Sequence, residues 1–210
     1  MGTRVHRPGG PGRRRRGLGL GCVGGLHVCA APPARGRGPQ KGALAGEPDG
    51  PAIGRSRGGL TTKIHLAAGG RCRPLPFHLT AGQAGDAPAF TELMARLRVS
   101  RQRGRLRMRS NMDLADNGYS SHQIRERLRR RDIRAVIPER ADQEASRRRR
   151  GPVGGRPPAF DREAYKQHNT IERCINCLKQ WRGIATRYGK TATIYLAGLH
   201  IADIFLWSAR

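Results

Sequence analysis

Residues 1–59 contain no Phe, Trp or Tyr, and they hold 17 of the 29 glycines, 7 of the 14 prolines and only two acids, Glu47 and Asp49. Such a stretch has little to bury and cannot offset its own conformational entropy, so it is expected to stay disordered unless it docks on something. Two readings of it are open: a basic nucleic-acid-binding arm, or coding sequence read out of frame. The second is favoured, because patterned sequence begins abruptly downstream. The whole chain of 210 residues carries 41 Lys and Arg against 15 Asp and Glu, a formal charge of +26, which favours an extended polyanion as partner. Phosphate neutralisation of this kind supplies affinity and no base specificity.

Five cysteines at irregular spacing, Cys22, Cys29, Cys72, Cys174 and Cys177, do not form a secreted disulfide framework, and the expected compartment is the cytoplasm. The basic N-terminus is not followed by an unbroken apolar run, so no signal peptide is read there. Thr191 to Trp207 is apolar but short for a bilayer and carries His200 and Asp203, so a buried core helix is expected and no membrane partner.

From Leu60 onward the pattern is that of a folded domain. Thr61 to Ala68 alternates with strand period, a Gly69–Gly70 turn follows, and Arg73 to Thr80 reads as its hairpin partner. Phe90, Leu93, Met94 and Leu97 fall at helical spacing between Asp86, a candidate N-cap, and Val99. Met112 to Asp116 reads as a strand stopped by Asn117–Gly118, which leaves an acid at its tip. A short basic helix over Ser120 to Arg131 and a strand over Ile133 to Glu139 come next, then a solvated loop, Ala141 to Pro158, with four consecutive arginines.

A long helix is expected from Asp161 to about Arg182. At roughly 100° per residue, Tyr165, His168, Glu172 and Lys179 share one narrow face. Ile171, Cys174, Ile175 and Leu178 make the adjoining apolar face. Cys174 and Cys177 form a CxxC, but both fall inside that helix with no second pair nearby, so packing is preferred to a metal site. Trp181 and Tyr188, flanked by Arg182 and Arg187, either clamp DNA or belong to the core.

Three separated segments, in order, resemble the DDE transposases of bacterial insertion sequences, in the IS4-like superfamily with an RNase H-like catalytic domain. They are GRSRGGLTTKIHLA (Gly54 to Ala67) with LTAGQAGD (Leu79 to Asp86), LADNGYSS (Leu114 to Ser121), and GGRPPAFDREAYKQHNTIERCINCLKQWRGIATRYGKTA (Gly154 to Ala192). The last contains a match to the family's Y-x2-R-x3-E-x6-K helix signature at Tyr165, His168, Glu172 and Lys179, with His in place of Arg.

The resemblance covers roughly residues 42–210. It implies an α/β, RNase H-like mixed sheet flanked by helices over that span, behind a disordered Gly/Arg/Pro-rich tail at 1–41. It implies Asp116 and Glu172 as catalytic, metal-binding acids, and Tyr165, His168, Lys179, Arg182 and Arg187 as DNA-binding residues. The implied cofactor is a pair of Mg2+ or Mn2+ ions. The implied partners are DNA, both element ends and target, and further copies of the chain in a transposition complex. Two hard cations on oxygen ligands are what phosphodiester cleavage and strand transfer need.

The first acid of the family's triad lies on a strand upstream of GRSRGG. Here no Asp occurs before Asp49, so a sheet lacking its first strand is expected, and a frameshift upstream of Gly42 accounts for the missing acid. The chain then reads as a degenerate transposase or, alternatively, a non-catalytic DNA-binding remnant. Smaller departures are Asn117 for Lys and Gly189 for Asp.

Overall fold

The computed structural model describes residues 52–209, apart from 57, 58, 71, 101, 102 and 190, together with the backbone of a strand at Gly21–Ala30. That strand is β1. It is followed by β2 (Gly54–Ser56), β3 (Gly59–Gly69), β4 (Arg73–Ala81), α1 (Asp86–Ala95), β5 (Met112–Ala115), α2 (His122–Arg130) and β6 (Arg134–Val136). The C-terminal half is helical: α3 (Ala141–Arg149), α4 (Arg162–Tyr165), α5 (Asn169–Lys179), α6 (Arg182–Ala185) and α7 (Ala192–Ser208).

One mixed sheet organises the molecule. β1 lies centrally, antiparallel to β3 on one side and parallel to β5 on the other, and β5 pairs in parallel with β6. The outer edge of β3 is shared, with β2 against Gly59 to Thr61 and β4 from Thr62 to Gly69. This is the mixed sheet flanked by helices that the resemblance implies, with one correction. The first strand is present, and it comes from within the stretch expected to be a disordered tail. Gly21–Ala30 reads GCVGGLHVCA, and its Val, Leu and Cys residues suit a strand. The glycine content of its surroundings hides that pattern. Its backbone is held by a partner on each side, which compensates for interior glycines. The expected boundary at residue 42 lies outside the described residues, as does the rest of the tail.

Helices cover both faces, and strand alternation sorts the core accordingly. Ile64, Leu66, Ala68, Phe77 and Leu114 pack beneath α5, α6 and α7, against Ile171, Ile175, Leu178, Tyr195 and Leu199. Ala67 and Ala115 face the other way, into a second cluster with Phe90, Leu93 and Leu97 around α1 and Ile124 and Leu128 of α2. Helix α2 starts where Ser121 accepts the Ile124 N–H at 3.2 Å, an ordinary N-cap. The helix after Gly85 begins at Asp86 without a side-chain cap, because Asp86 is engaged elsewhere.

Three further expectations are corrected. The arginine-rich segment is not all loop: Ala141–Arg149 is helix α3, with no buried residue. Asp142 and Glu144 in its first turn and Arg147, Arg148 and Arg149 in its last complement the helix dipole. Arg147 also forks onto Glu139 at 2.8 and 3.2 Å, so the charges that suggest a solvated loop are what hold the helix. The long helix from Asp161 is broken into α4, a 3-10 turn at Lys166–His168, and α5. Helix α7 has the expected bounds but is buried on one side only. Ala192, Tyr195, Leu199 and Ala202 face the core while Ile194, Ile201, Ile204 and Phe205 are exposed. No helix among the described residues is long and apolar enough to cross a membrane.

Two buried polar groups make strong demands on the fold. Arg187 is 1% exposed. Its guanidinium donates to the Thr62 hydroxyl, to the Ala52 carbonyl at 3.2 Å and to the Gly189 carbonyl at 3.1 Å, and it lies over the Tyr195 ring. It ties β3 to the segment before α7. We expect Arg187→Ala to cost about 3 kcal/mol, and Arg187→Lys most of that, since an ammonium cannot reproduce the fork. Urea denaturation checks this, and a loss below about 1 kcal/mol for the alanine variant contradicts it.

Asp113, in β5, is 1% exposed. Burial pushes its carboxyl up to about 7, opposed by the hydrogen bond from Ser110 and by the charge of Arg131. A raised folded-state value means that the native chain holds a proton the unfolded chain has released. Stability therefore falls as pH rises from about 4 to about 7, at up to roughly 1.4 kcal/mol per unit. Asp113→Asn is expected to flatten that slope in denaturation curves taken across the window.

Candidate functional site

The strand tip that the sequence singles out is built as expected. Asp116 continues the extended backbone of β5 at φ −66° and ψ 163°, then accepts the Asn117 N–H at 2.6 Å to start a 3-10 turn over Asn117–Tyr119. Alternation assigns its face: Leu114 packs under α5, Ala115 away from it, and Asp116 therefore towards it.

The turn is pinned from behind. Tyr119 is fully buried and its hydroxyl meets His65 Nδ1 at 2.8 Å, while His65 Nε2 meets the Thr80 hydroxyl at 2.8 Å. Burial lowers the His65 pKa to about 4, with Asp86 opposing and His78 and Lys63 assisting. The imidazole is thus neutral at pH 7 and links β3, β4 and the turn as one donor and one acceptor. Burial, then the charges of Asp86 and Asp116, raise the pKa of Tyr119, which stays protonated.

Asp86 flanks the same turn. Lys63 binds it at 2.8 Å and donates to the Ala84 carbonyl at 2.7 Å. A Cβ on Gly118 would come within 3.0 Å of an Asp86 oxygen, so the Asn-Gly turn needs its glycine for this close approach. Asp86 is therefore an ion-pair partner and not the N-cap that its position suggests, and Lys63, His65 and Tyr119 carry no motif of their own. The signal available was that Asp86 closes the LTAGQAGD segment and Lys63 and His65 fall within the first one.

The opposite wall is α4 and α5. Asp161 caps α4 by accepting the Ala164 N–H at 2.9 Å and pairs with Arg134 of β6, which fixes the helix against the sheet edge. Tyr165 then lies half-buried between Phe160, with ring centroids 5.2 Å apart, and His168, stacked at 5.0 Å. Its pKa is raised by burial first, then by the charges of Asp116 and Glu172. Both carboxylates act on this one phenol, so the strand tip and the helix converge beside it.

Glu172 is exposed on α5, whose Ile171, Cys174, Ile175 and Leu178 are buried beneath it. Lys179, half-buried, lies two turns further along the same helix, and Arg182 is exposed at the start of α6. Arg187 differs from its expected place at a DNA face. It is turned into the protein and its donors are engaged there, so it is not presented to a phosphate. Trp181 is about two-fifths exposed and packs on Phe205, and Tyr188 is exposed. Cys174 belongs to the core and approaches the Cys72 carbonyl at 3.6 Å.

Among the described residues the donor set does not match a two-cation centre. Among the described residues no group of three His, Cys, Asp or Glu side chains is arranged to hold a metal ion. Asp116 and Glu172 supply two carboxylates on one face, and no third described carboxylate joins them. Glu47 and Asp49 lie outside the described residues.

The chain is similar to known transposases. A putative transposase for insertion sequence element IS6501 from Brucella ovis is 26% identical over 148 residues, 70% of this chain and 98% of that protein. Among solved structures, a weak likeness to a pre-cleavage Mos1 transpososome has a TM-score of 0.32 at 12% identity. It covers 93% of this chain and 56% of that one. The family model described as the transposase DDE domain matches residues 33–202, most of the chain, and the chain accordingly belongs to the DDE transposase family.

Proposed function

We propose that this chain is an insertion-sequence transposase that retains the DNA-binding face of the catalytic domain and lacks one of the carboxylates that cleavage requires. The convergence of Asp116 and Glu172 on Tyr165, with no third described acid beside them, carries this reading. DNA is the partner because α5, which bears Glu172, also bears exposed Arg173, its neighbours α4 and α6 bear exposed Arg162 and Arg182, and Arg149, Arg150 and Arg156 are exposed nearby in sequence. Lys179, on the same helix as Glu172, adds a further cation. His168 contributes a ring to this wall, stacked on Tyr165. When bound, hard divalent cations would supply charge neutralisation at the scissile phosphate. The two described carboxylates on this face are too few to hold a pair of them.

Binding of a duplex followed by fluorescence anisotropy tests the DNA-binding part. The affinity is expected to fall by orders of magnitude between about 50 and 200 mM salt, with a shallower dependence for a chain carrying Arg162→Ala, Arg173→Ala and Arg182→Ala. A salt-insensitive binding constant contradicts it. With Mg2+ or Mn2+ added, the parent chain is expected to leave element-end DNA intact. Cleavage that disappears in Glu172→Gln would show the site to be complete.

A further inference from the structure

We infer that residue 25 is the position of the third carboxylate of this site, and that glycine stands there because the codons before residue 33, where the match to the family model begins, are read one base out of register. The inference rests on Asp116 and Glu172 forming a metal-binding pair and deepens that reading.

Two independent registers specify the position. β1 and β5 run parallel with Gly24 opposite Ala115, so the next residue, Gly25, lies alongside Asp116. Adjacent strands are about 4.8 Å apart, so side chains at 25 and 116 would be neighbours. On its other edge β1 is antiparallel to β3 with Gly25 opposite Leu66. Residues directly opposite one another point to the same face, and Leu66 packs into the core beneath α5. A side chain at 25 would therefore project to the face that carries Glu172. β1 contributes no Asp or Glu, and glycine contributes no side chain at all.

The genetic code makes the second half testable from the same dipeptide. Every glycine codon is GGN, and every leucine codon, for Leu26, begins with C or T. Read one base later, that junction becomes GNC or GNT, and both encode aspartate when N is adenine. The other shifted frame, NGG followed by NCT or NTT, encodes no acid at this point. The residue that the registers place beside Asp116 is thus one where a one-base shift exchanges glycine for aspartate.

Sequencing the gene is the first measurement: codon 25 is expected to be GGA, and any other glycine codon overturns the frame account. The second is Mn2+ binding to the full chain by isothermal titration calorimetry. Gly25→Asp is expected to bind Mn2+ roughly tenfold or more tightly than the parent, whereas Gly25→Asn, which has the same shape without the charge, is not. A folded Gly25→Asp with parental Mn2+ affinity overturns the position. If that variant does not fold, the chain whose residues 21–30 are replaced by their one-base-shifted translation is titrated instead, and no gain there overturns it equally. The salt dependence of DNA binding is measured on the same proteins. Its loss would strike the proposed function, whereas unchanged Mn2+ affinity with intact DNA binding strikes only this inference.

Discussion

Strand β3 is the constraint on which the rest depends. Both its edges are paired and both its faces are covered, so Ile64, Leu66 and Ala68 on one side and His65 and Ala67 on the other must all be satisfied at once. A slip of one residue would bring His65 under α5 and expose the apolar set to the wrong layer, which is why its register is strongly specified. His65 is the polar marker of that register: its two nitrogens find Tyr119 and Thr80 only in the observed alignment. Through Tyr119 the same alignment fixes the turn that follows Asp116. The position of the acidic strand tip is thus inherited from a strand fifty residues earlier.

Much of this was legible in the sequence, for local reasons. The β3–β4 hairpin, the strand ending at Asp116 and the apolar stripe of α5 follow from period and turn chemistry that their own residues carry. The convergence of Asp116 and Glu172 was legible only through the resemblance, because no local pattern relates a strand tip to a helix 56 positions away. Helix α3 escaped because its stability comes from charge pairs, which read as solvation when burial is the cue. The role of Arg187 escaped for the opposite reason. An arginine beside an aromatic suggests nucleic acid until its partners, Thr62 and Ala52, are known to be on the far side of the chain. Strand β1 was hidden by composition, since its register belongs to its neighbours more than to its own residues.

The arrangement separates two properties usually treated together in this family. Holding DNA needs only surface cations, and these are distributed over many elements. Cutting it needs three carboxylates at one point, so it fails with the loss of one. On the function proposed above, a chain that lacks one carboxylate keeps the first property without the second.

The inward turn of Arg187 has a consequence for how the charge of this protein is to be counted. Together with Lys63, Arg134 and Arg147, each engaged by a carboxylate, it shows that part of the complement of 41 Lys and Arg is structural mortar. Those side chains cannot trade their partners for phosphates without loosening the sheet or its flanking helices. The number of counterions displaced from a duplex therefore measures the mobile fraction of the basic residues, and the total of Lys and Arg is an upper bound that the folded chain does not reach.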